Sequence, residues 1–146
     1  MKVKDVLSTK GSKVCTVKGK DTIKQAVAML IEEKIGAALV HDNDGDIVGI
    51  LTERDILRAI HEFGKKLEDM LVEKVMTRRV IIGTPDDDLE YIMNIMTHNR
   101  IRHVPIVENG QLLGIISIGD VVKAQLHDSR CQIKYLQDYL HHGHHT

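Results

Sequence analysis

The sequence predicts an α+β fold: two related βαββα units packed as one body with internal pseudo-two-fold symmetry, followed by a C-terminal helix. Three observations carry this. The segment GDIVGILTERDIL from Gly45 matches GQLLGIISIGDVV from Gly110, so that Gly49, Thr52 and Asp55 answer to Gly114, Ser117 and Asp120 at a separation of 65 (114 − 49 = 65). Upstream the separation becomes 66 (87 − 21 = 66), pairing Asp21 with Asp87, Ile23 with Leu89 and Ile35 with Ile101. Both units, roughly residues 13–60 and 75–126, then show the same order of signals: an amphipathic stripe, two short apolar runs around a turn, and a second helix.

In the first unit a short strand is expected around Val14–Val17. Ile23, Ala26, Val27, Leu30 and Ile31 recur at helical spacing, with Asp21 as the expected N-cap and Gly36 as the stop. The runs AALV and IVGIL flank an Asp-Gly turn and predict a hairpin. A helix should follow from about Glu53 to His61. The second unit repeats the plan: a strand around Val80–Ile82, a helix bearing Leu89, Ile92, Met93 and Met96, the runs HVPIV and LLGII around Asn109-Gly110, and a helix from about Ile118. Asp87 and Glu90 have capping-box spacing. The expected boundaries are 1–64 for the first repeat with its N-terminal segment, 65–74 for a connector, 75–127 for the second repeat and 128–146 for a C-terminal helix with a His-rich tail. Lys65, Lys66, Glu68 and Asp69 suit a solvated surface helix in the connector. In the tail, Ile133, Leu136, Tyr139 and Leu140 form a stripe that would pack either back on the domain or across a homodimer. A unit of about 50 residues buries too little surface to stand comfortably alone, so the two should share a core.

Composition narrows the function. Among 146 residues, 20 Lys and Arg face 21 Asp and Glu, a formal net charge of −1. Nucleic-acid binders usually carry a basic excess, so that class is disfavoured. The aromatics are Phe63, Tyr91, Tyr135 and Tyr139, with no Trp, which disfavours base-stacking platforms. Cys15 and Cys131 supply neither a disulfide framework nor a zinc ribbon. No apolar run reaches the roughly 18 residues of a membrane span, and the N-terminus lacks an apolar signal region. The expectation is a soluble cytoplasmic protein without a membrane partner.

The most informative element is G-h-h-[ST]-x-x-D, with h apolar, present as Gly49–Asp55 and Gly114–Asp120 where a strand gives way to a helix. One reading is structural: hydroxyl and carboxylate satisfy orphan N–H groups as a helix cap. The other is a ligand site. A helix start offers free N–H groups and partial positive charge to a phosphate, and a carboxylate one turn in can accept from both hydroxyls of a ribose. Together these groups suit a nucleotide, and their recurrence at matching positions in both units strengthens that reading.

On these residues the chain resembles a tandem CBS-domain (cystathionine-β-synthase-type) protein, a stand-alone CBS pair or Bateman module, over about Val3 to Leu126. The resemblance rests on the openings Asp5-Val6-Leu7 and Lys74-Val75-Met76-Thr77, on Ile-Arg-His-Val-Pro-Ile at 101–106, and on both G-h-h-[ST]-x-x-D segments. It implies two clefts for adenosine-type ligands such as AMP, ADP, ATP, NAD(H) or S-adenosylmethionine, and no required cofactor. Asp55 and Asp120 would take the ribose hydroxyls, and Thr52 and Ser117 would contact ribose or phosphate. Backbone at Val14–Thr16 and at Val80, Ile81 and Ile82 would read the adenine edge. Ala37-Ala38 and His103-Val104-Pro105 would wall the pockets.

The units differ in detail. Arg54 stands where the second has Gly119; Arg100, Arg102 and His103 stand opposite Lys34, Gly36 and Ala37; Leu39 stands opposite Pro105. Arg54, Arg102 and Arg78 or Arg79 are candidate phosphate contacts, since guanidinium binds phosphate bidentately; the plain alternative is solvated surface arginine. Unequal clefts are expected. Asp42–Asp46 has calcium-loop character, but Leu51 falls where the bidentate Glu belongs. His61-Glu62 is not followed by the second His of a zincin motif. Cys15 reads as a small buried hydrophobe. His141–His145 could trap zinc or nickel only in a tail that cannot fix geometry. No nucleophile, base and orienting group converge, so no catalysis is expected. The expected function is an adenine-nucleotide sensor that acts through conformational change on an unidentified regulated protein, as a homodimer. The alternatives are a ligand-free dimeric interaction module and, further off, single-stranded nucleic-acid binding through Arg78, Arg79, Arg100 and Arg102.

Overall fold

A computed structural model describes residues 1–11 and 14–143, without the side chains of residues 131, 135 and 141–143. The chain divides into two compact units, Lys13–Ile81 and Met1–Ser12 with Ile82–Thr146. The N-terminal segment therefore clusters in space with the second repeat, although it precedes the first in the chain.

In the first-repeat unit, β1 (Thr16–Lys18) runs parallel to β2 (Ala37–His41), which pairs antiparallel with β3 (Ile47–Thr52). Helix α2 (Ile23–Glu33) buries Ile23, Ala26 and Leu30 against Val17, Ala38, Val40 and Leu51, while Ile31 at the far end of its stripe remains 72% exposed. Its N-cap is Thr22, not Asp21. Thr22 Oγ1 accepts from the Gln25 amide at 3.2 Å, and Gln25 returns its side-chain oxygen to the Thr22 amide at 2.9 Å. The Asp21 carboxylate is committed one step earlier, closing a turn on the Lys18 amide at 3.0 Å. The helix stops at Lys34, which takes the left-handed conformation at φ 57°, two residues before Gly36. Helix α3 (Glu53–Phe63) follows β3 directly.

The connector is not an α-helix, although Lys65, Lys66, Glu68 and Asp69 are exposed as expected. It forms two short 3-10 turns, Gly64–Asp69 and Val72–Lys74, and inserts Leu67 and Val72 into the first-repeat core. Its backbone is bound into the unit, with the Ile23 amide donating to the Met70 carbonyl and the Val72 amide to the Asp21 carbonyl, each at 2.8 Å. The charged residues between these anchors hid the two apolar side chains that decide its position.

In the second-repeat unit, β4 (His103–Glu108) and β5 (Gln111–Ser117) form a hairpin whose turn residues, Asn109 and Gly110, have φ of 51° and 76°. Positive φ at both positions matches the twist of antiparallel strands. Helix α4 (Leu89–Asn99) buries Leu89, Ile92 and Met96 against Val104, Ile106 and Ile116. The expected Asp87–Glu90 box does not form: Asp87 instead accepts from the Thr84 amide at 2.8 Å. No strand forms at Val80–Ile82. Pairing shrinks to a parallel bridge between Gly83 and Ile106, because the next bond of the ladder would need an amide at Pro105 to donate to the Ile81 carbonyl, and proline has none.

Helix α1 (Val3–Lys10) completes this unit from the other end of the chain. Val3 and Val6 enter its core, and Leu7 packs over Gly114, where an added Cβ would lie 2.8 Å from Leu7 Cδ2. In the first-repeat unit Met76 packs over Gly49 in the same way. Helix α5 runs unbroken from Ile118 to Gly143, 26 residues, so the predicted C-terminal helix is a continuation of the repeat's own second helix.

Candidate functional site

Each repeat builds its G-h-h-[ST]-x-x-D element where a paired strand ends and a helix starts. Thr52 is the last residue of β3, paired with Ala37, and is the N-cap of α3. Its hydroxyl accepts from the Asp55 amide at 3.2 Å, while Asp55 Oδ2 accepts from the Thr52 amide at 3.0 Å. The Glu53 amide is met by the Gly36 carbonyl at 3.0 Å. In the second repeat, Ser117 ends β5 opposite His103. Its hydroxyl accepts from the Asp120 amide at 3.1 Å, and Asp120 Oδ2 accepts from the Ser117 amide at 2.8 Å. The Ile118 amide donates to the Arg102 carbonyl at 2.9 Å. Both elements are thus capping boxes, and the same bonds fix a carboxylate at a helix start.

The two carboxylates differ in their remaining partners. Asp55 Oδ1 accepts from the Thr77 hydroxyl at 2.9 Å. Asp120 Oδ2 receives Lys10 Nζ at 2.6 Å, and the same ammonium donates to the Ile115 carbonyl. Burial pushes the Asp120 carboxyl up, but the Lys10 ammonium and the Ser117 donors outweigh it and hold the group below the usual carboxylate range.

The sequence-predicted residues fall into place unevenly. Thr52 with Asp55, and Ser117 with Asp120, are brought together as expected. Arg54 lies exposed on the first turn of α3. Arg102 is exposed, with its carbonyl accepting from the Ile118 amide, and His103 is half-buried. Thr16 sits on β1 opposite Leu39, exposed; Val80 and Ile81 are half-buried. Ala38 and Val104 are fully buried in the two cores, so their side chains face inward rather than into a cleft, and Pro105 is buried as well. Arg78 donates to the Glu73 carbonyl at 3.1 Å, while Arg79 is exposed. Thr77 and Lys10 were not singled out for the site. Each reaches it from 22 and 110 residues away, a separation that no local pattern marks. The repeated V-x-x-V-[LM] of residues 3–7 and 72–76 was the available signal.

An open groove of about 380 Å³ in the first-repeat unit is lined by Leu30, Ile31, Lys34, Ile35, Glu53 and Ile56 among others, and includes neither Thr52 nor Asp55. Asp42 uses its carboxylate on its own loop, accepting from the Asp44 and Asp46 amides at 2.9 and 3.0 Å. Among the described residues no three His, Cys, Asp or Glu side chains group as metal ligands, and no helix is long and apolar enough to cross a membrane. The His-rich tail at 141–145 lies outside the described side chains.

Comparison with known proteins places these observations. The CBS-domain family model matches residues 3–62 and 72–127. A curated relative, the mitochondrial CBS domain-containing protein CBSX3 of Arabidopsis thaliana, is 34% identical over 97% of this chain and 72% of its own length. The crystal structure of a CBS-domain containing protein from Agrobacterium tumefaciens superposes with a TM-score of 0.83 at 45% identity, covering 85% of this chain and 92% of that one. A CBS domain pair crystallised with 5′-methylthioadenosine and S-adenosyl-L-methionine superposes with a TM-score of 0.74 at 27% identity, covering 85% and 98% of the two chains.

Proposed function

The chain belongs to the CBS-domain family, and on that premise we propose that it is a regulatory module whose two repeats bind an adenine nucleotide, AMP, ADP, ATP or NAD(H), and signal its presence to a regulated protein. The observation that carries the reading is the duplicated carboxylate. Asp55 and Asp120 stand at matching helix starts, each carboxylate held by the backbone N–H of its cap residue while the cap hydroxyl accepts from the Asp amide. A ribose presents two adjacent hydroxyl donors, and a carboxylate already oriented at the helix start accepts both once its present side-chain partner gives way. The solved relative with two adenosine-derived ligands supports adenosine as the shared half of the ligand. Binding would bias the arrangement of the repeats, and a partner would read it.

A second copy of the chain is part of this reading. Along α5, Val122, Leu126, Ile133, Leu136 and Leu140 follow spacings of 4, 7, 3 and 4 and are 48, 51, 55, 55 and 54% exposed. Such a stripe is stable in water when a partner helix covers it.

The competing reading is a ligand-free interaction module, favoured by the fact that both hydroxyl–carboxylate pairs are already satisfied as helix caps. A thermal-shift panel of adenosine, AMP, ADP, ATP and NADH separates the two. A nucleotide site predicts a concentration-dependent rise in Tm for at least one phosphorylated compound. No rise with any compound favours the interaction module.

A further inference from the structure

We propose that Lys10 is a specificity-determining residue of the second repeat's pocket: it releases Asp120 to an incoming ribose and takes the ligand's phosphate instead, so that this pocket selects phosphorylated adenosine compounds over uncharged ones. The inference rests on the nucleotide reading above and adds a residue and a selection rule to it.

The argument begins with acceptor capacity. A carboxylate oxygen offers two lone-pair sites. At Asp120 both sites of Oδ2 are taken, one by the Ser117 amide at 2.8 Å and one by Lys10 Nζ at 2.6 Å. A ribose that binds through both hydroxyls across the two carboxylate oxygens must therefore displace Lys10. The displacement is costly, because the pair is partly shielded, with side-chain exposures of 37% for Lys10 and 17% for Asp120. Removing an ammonium from a carboxylate in such a place leaves a poorly compensated charge. A ligand phosphate near the ribose restores a partner to that ammonium, whereas a neutral nucleoside does not.

The first repeat lacks this device, and the reason lies in the chain. Leu7 packs over Gly114 as Met76 packs over Gly49, which sets the offset between the two openings at 69 (76 − 7 = 69). Lys10 then answers to Arg79, and Ser8 to Thr77. In the second-repeat unit the opening is an eight-residue helix. The helix turns the Ser8 hydroxyl back to its own Asp5 carbonyl at 2.8 Å and carries Lys10 to Asp120. In the first-repeat unit the opening is a three-residue 3-10 turn followed by a bridge between Thr77 and Ile50. That extended segment delivers the Thr77 hydroxyl to Asp55 at 2.9 Å and leaves Arg79 exposed. A neutral hydroxyl can rotate away from Asp55 without leaving a stranded charge. The two repeats therefore ask different things of a ligand.

A purely structural role for Lys10, as a pin for α1, is the reading to exclude. That helix is already held by Val3 and Val6 in the core and by the Lys2–Asp88 and Lys4–Asp86 pairs. The readout must accordingly be selectivity, not stability. Adenosine and AMP are titrated by calorimetry into the full chain carrying Asp55→Ala, which silences the first pocket, with Lys10 present and as Lys10→Met or Lys10→Arg. The expected result is a preference for AMP that Lys10→Met compresses about tenfold, with adenosine binding no weaker than before, and that Lys10→Arg retains. An AMP-to-adenosine ratio unchanged in Lys10→Met overturns the inference alone. If neither compound binds the wild-type chain, the nucleotide reading falls and takes the inference with it.

Discussion

Thr77 donates its hydroxyl to Asp55 Oδ1 at 2.9 Å while the Thr52 amide holds Oδ2 at 3.0 Å, so the first repeat's carboxylate is gripped from both sides. Removing the hydroxyl should be felt in stability. Thr77→Val is expected to lower the unfolding free energy by about 0.5–1.5 kcal/mol, the net range for one hydrogen bond. Ser8→Ala, at the corresponding position of the second repeat, should change it by less than about 0.5 kcal/mol, because that hydroxyl only backs onto its own helix. Urea denaturation of both variants measures the difference; equal losses would contradict the assigned geometry.

The glycines under the two openings should not be equivalent either. A Cβ at Gly49 would lie 2.6 Å from Met76 Sδ and 2.8 Å from the Thr77 carbonyl oxygen, which is backbone and cannot swing aside. At Gly114 the close neighbour is Leu7 Cδ2 at 2.8 Å, the tip of a flexible side chain. Gly49→Ala is expected to cost about 1–3 kcal/mol, the usual range for overpacking, and Gly114→Ala clearly less. Matched melting curves would show the reverse order if the two openings did not pack as described.

Acid should expose the Lys10–Asp120 pair. Burial raises the Asp120 carboxyl, but the Lys10 ammonium and the Ser117 donors bring it below its ordinary value. A depressed carboxylate contributes stability that is complete above the unfolded value near ~3.9 and is lost as pH falls through the lower folded value. Wild-type stability should therefore fall more steeply below about pH 4 than that of Lys10→Met. The Asp88 carboxyl, held low by Lys2 at the surface, titrates alike in both proteins and drops out of the comparison. Parallel stability–pH curves would argue against the pair.

The exposed stripe on α5 predicts self-association. Leu136→Glu places a charge among Ile133, Tyr139 and Leu140, which are 55, 66 and 54% exposed. Sedimentation equilibrium should find a wild-type dimer that this substitution weakens at least tenfold, with secondary structure unchanged. A monomeric wild-type chain would remove α5 as the dimer contact.

How much of this was legible in the residues depends on range. The 65-residue repeat and the pairs Thr52–Asp55 and Ser117–Asp120 are local spellings, and the structure places them at strand–helix junctions as the spacing requires. Adjacent cap candidates were harder: Asp21 and Thr22 both suit an N-cap, and only the turn on the Lys18 amide decides between them. Val80–Ile82 has the composition of a strand, yet Pro105 on the facing strand has no N–H to offer it and only the Gly83–Ile106 bridge forms. Leu67 and Val72 were masked by charged neighbours, although they enter the core. Lys10 and Thr77 were marked only by the repeated V-x-x-V-[LM] that precedes each, because a lysine or a threonine acquires its meaning from the carboxylate that the fold sets before it.

The central claim is that Asp55 and Asp120 are ribose acceptors as well as helix caps. The most direct measurement is calorimetric titration of AMP, ATP and NADH into the wild-type chain and into Asp120→Ala and Asp55→Ala/Asp120→Ala, each confirmed folded by circular dichroism. The account predicts binding to wild type, a loss in Asp120→Ala at the second pocket of about 1–3 kcal/mol, roughly ten- to a hundredfold, and loss at both pockets in the double variant. A folded double variant that binds as tightly as wild type would contradict it and leave both carboxylates as caps alone.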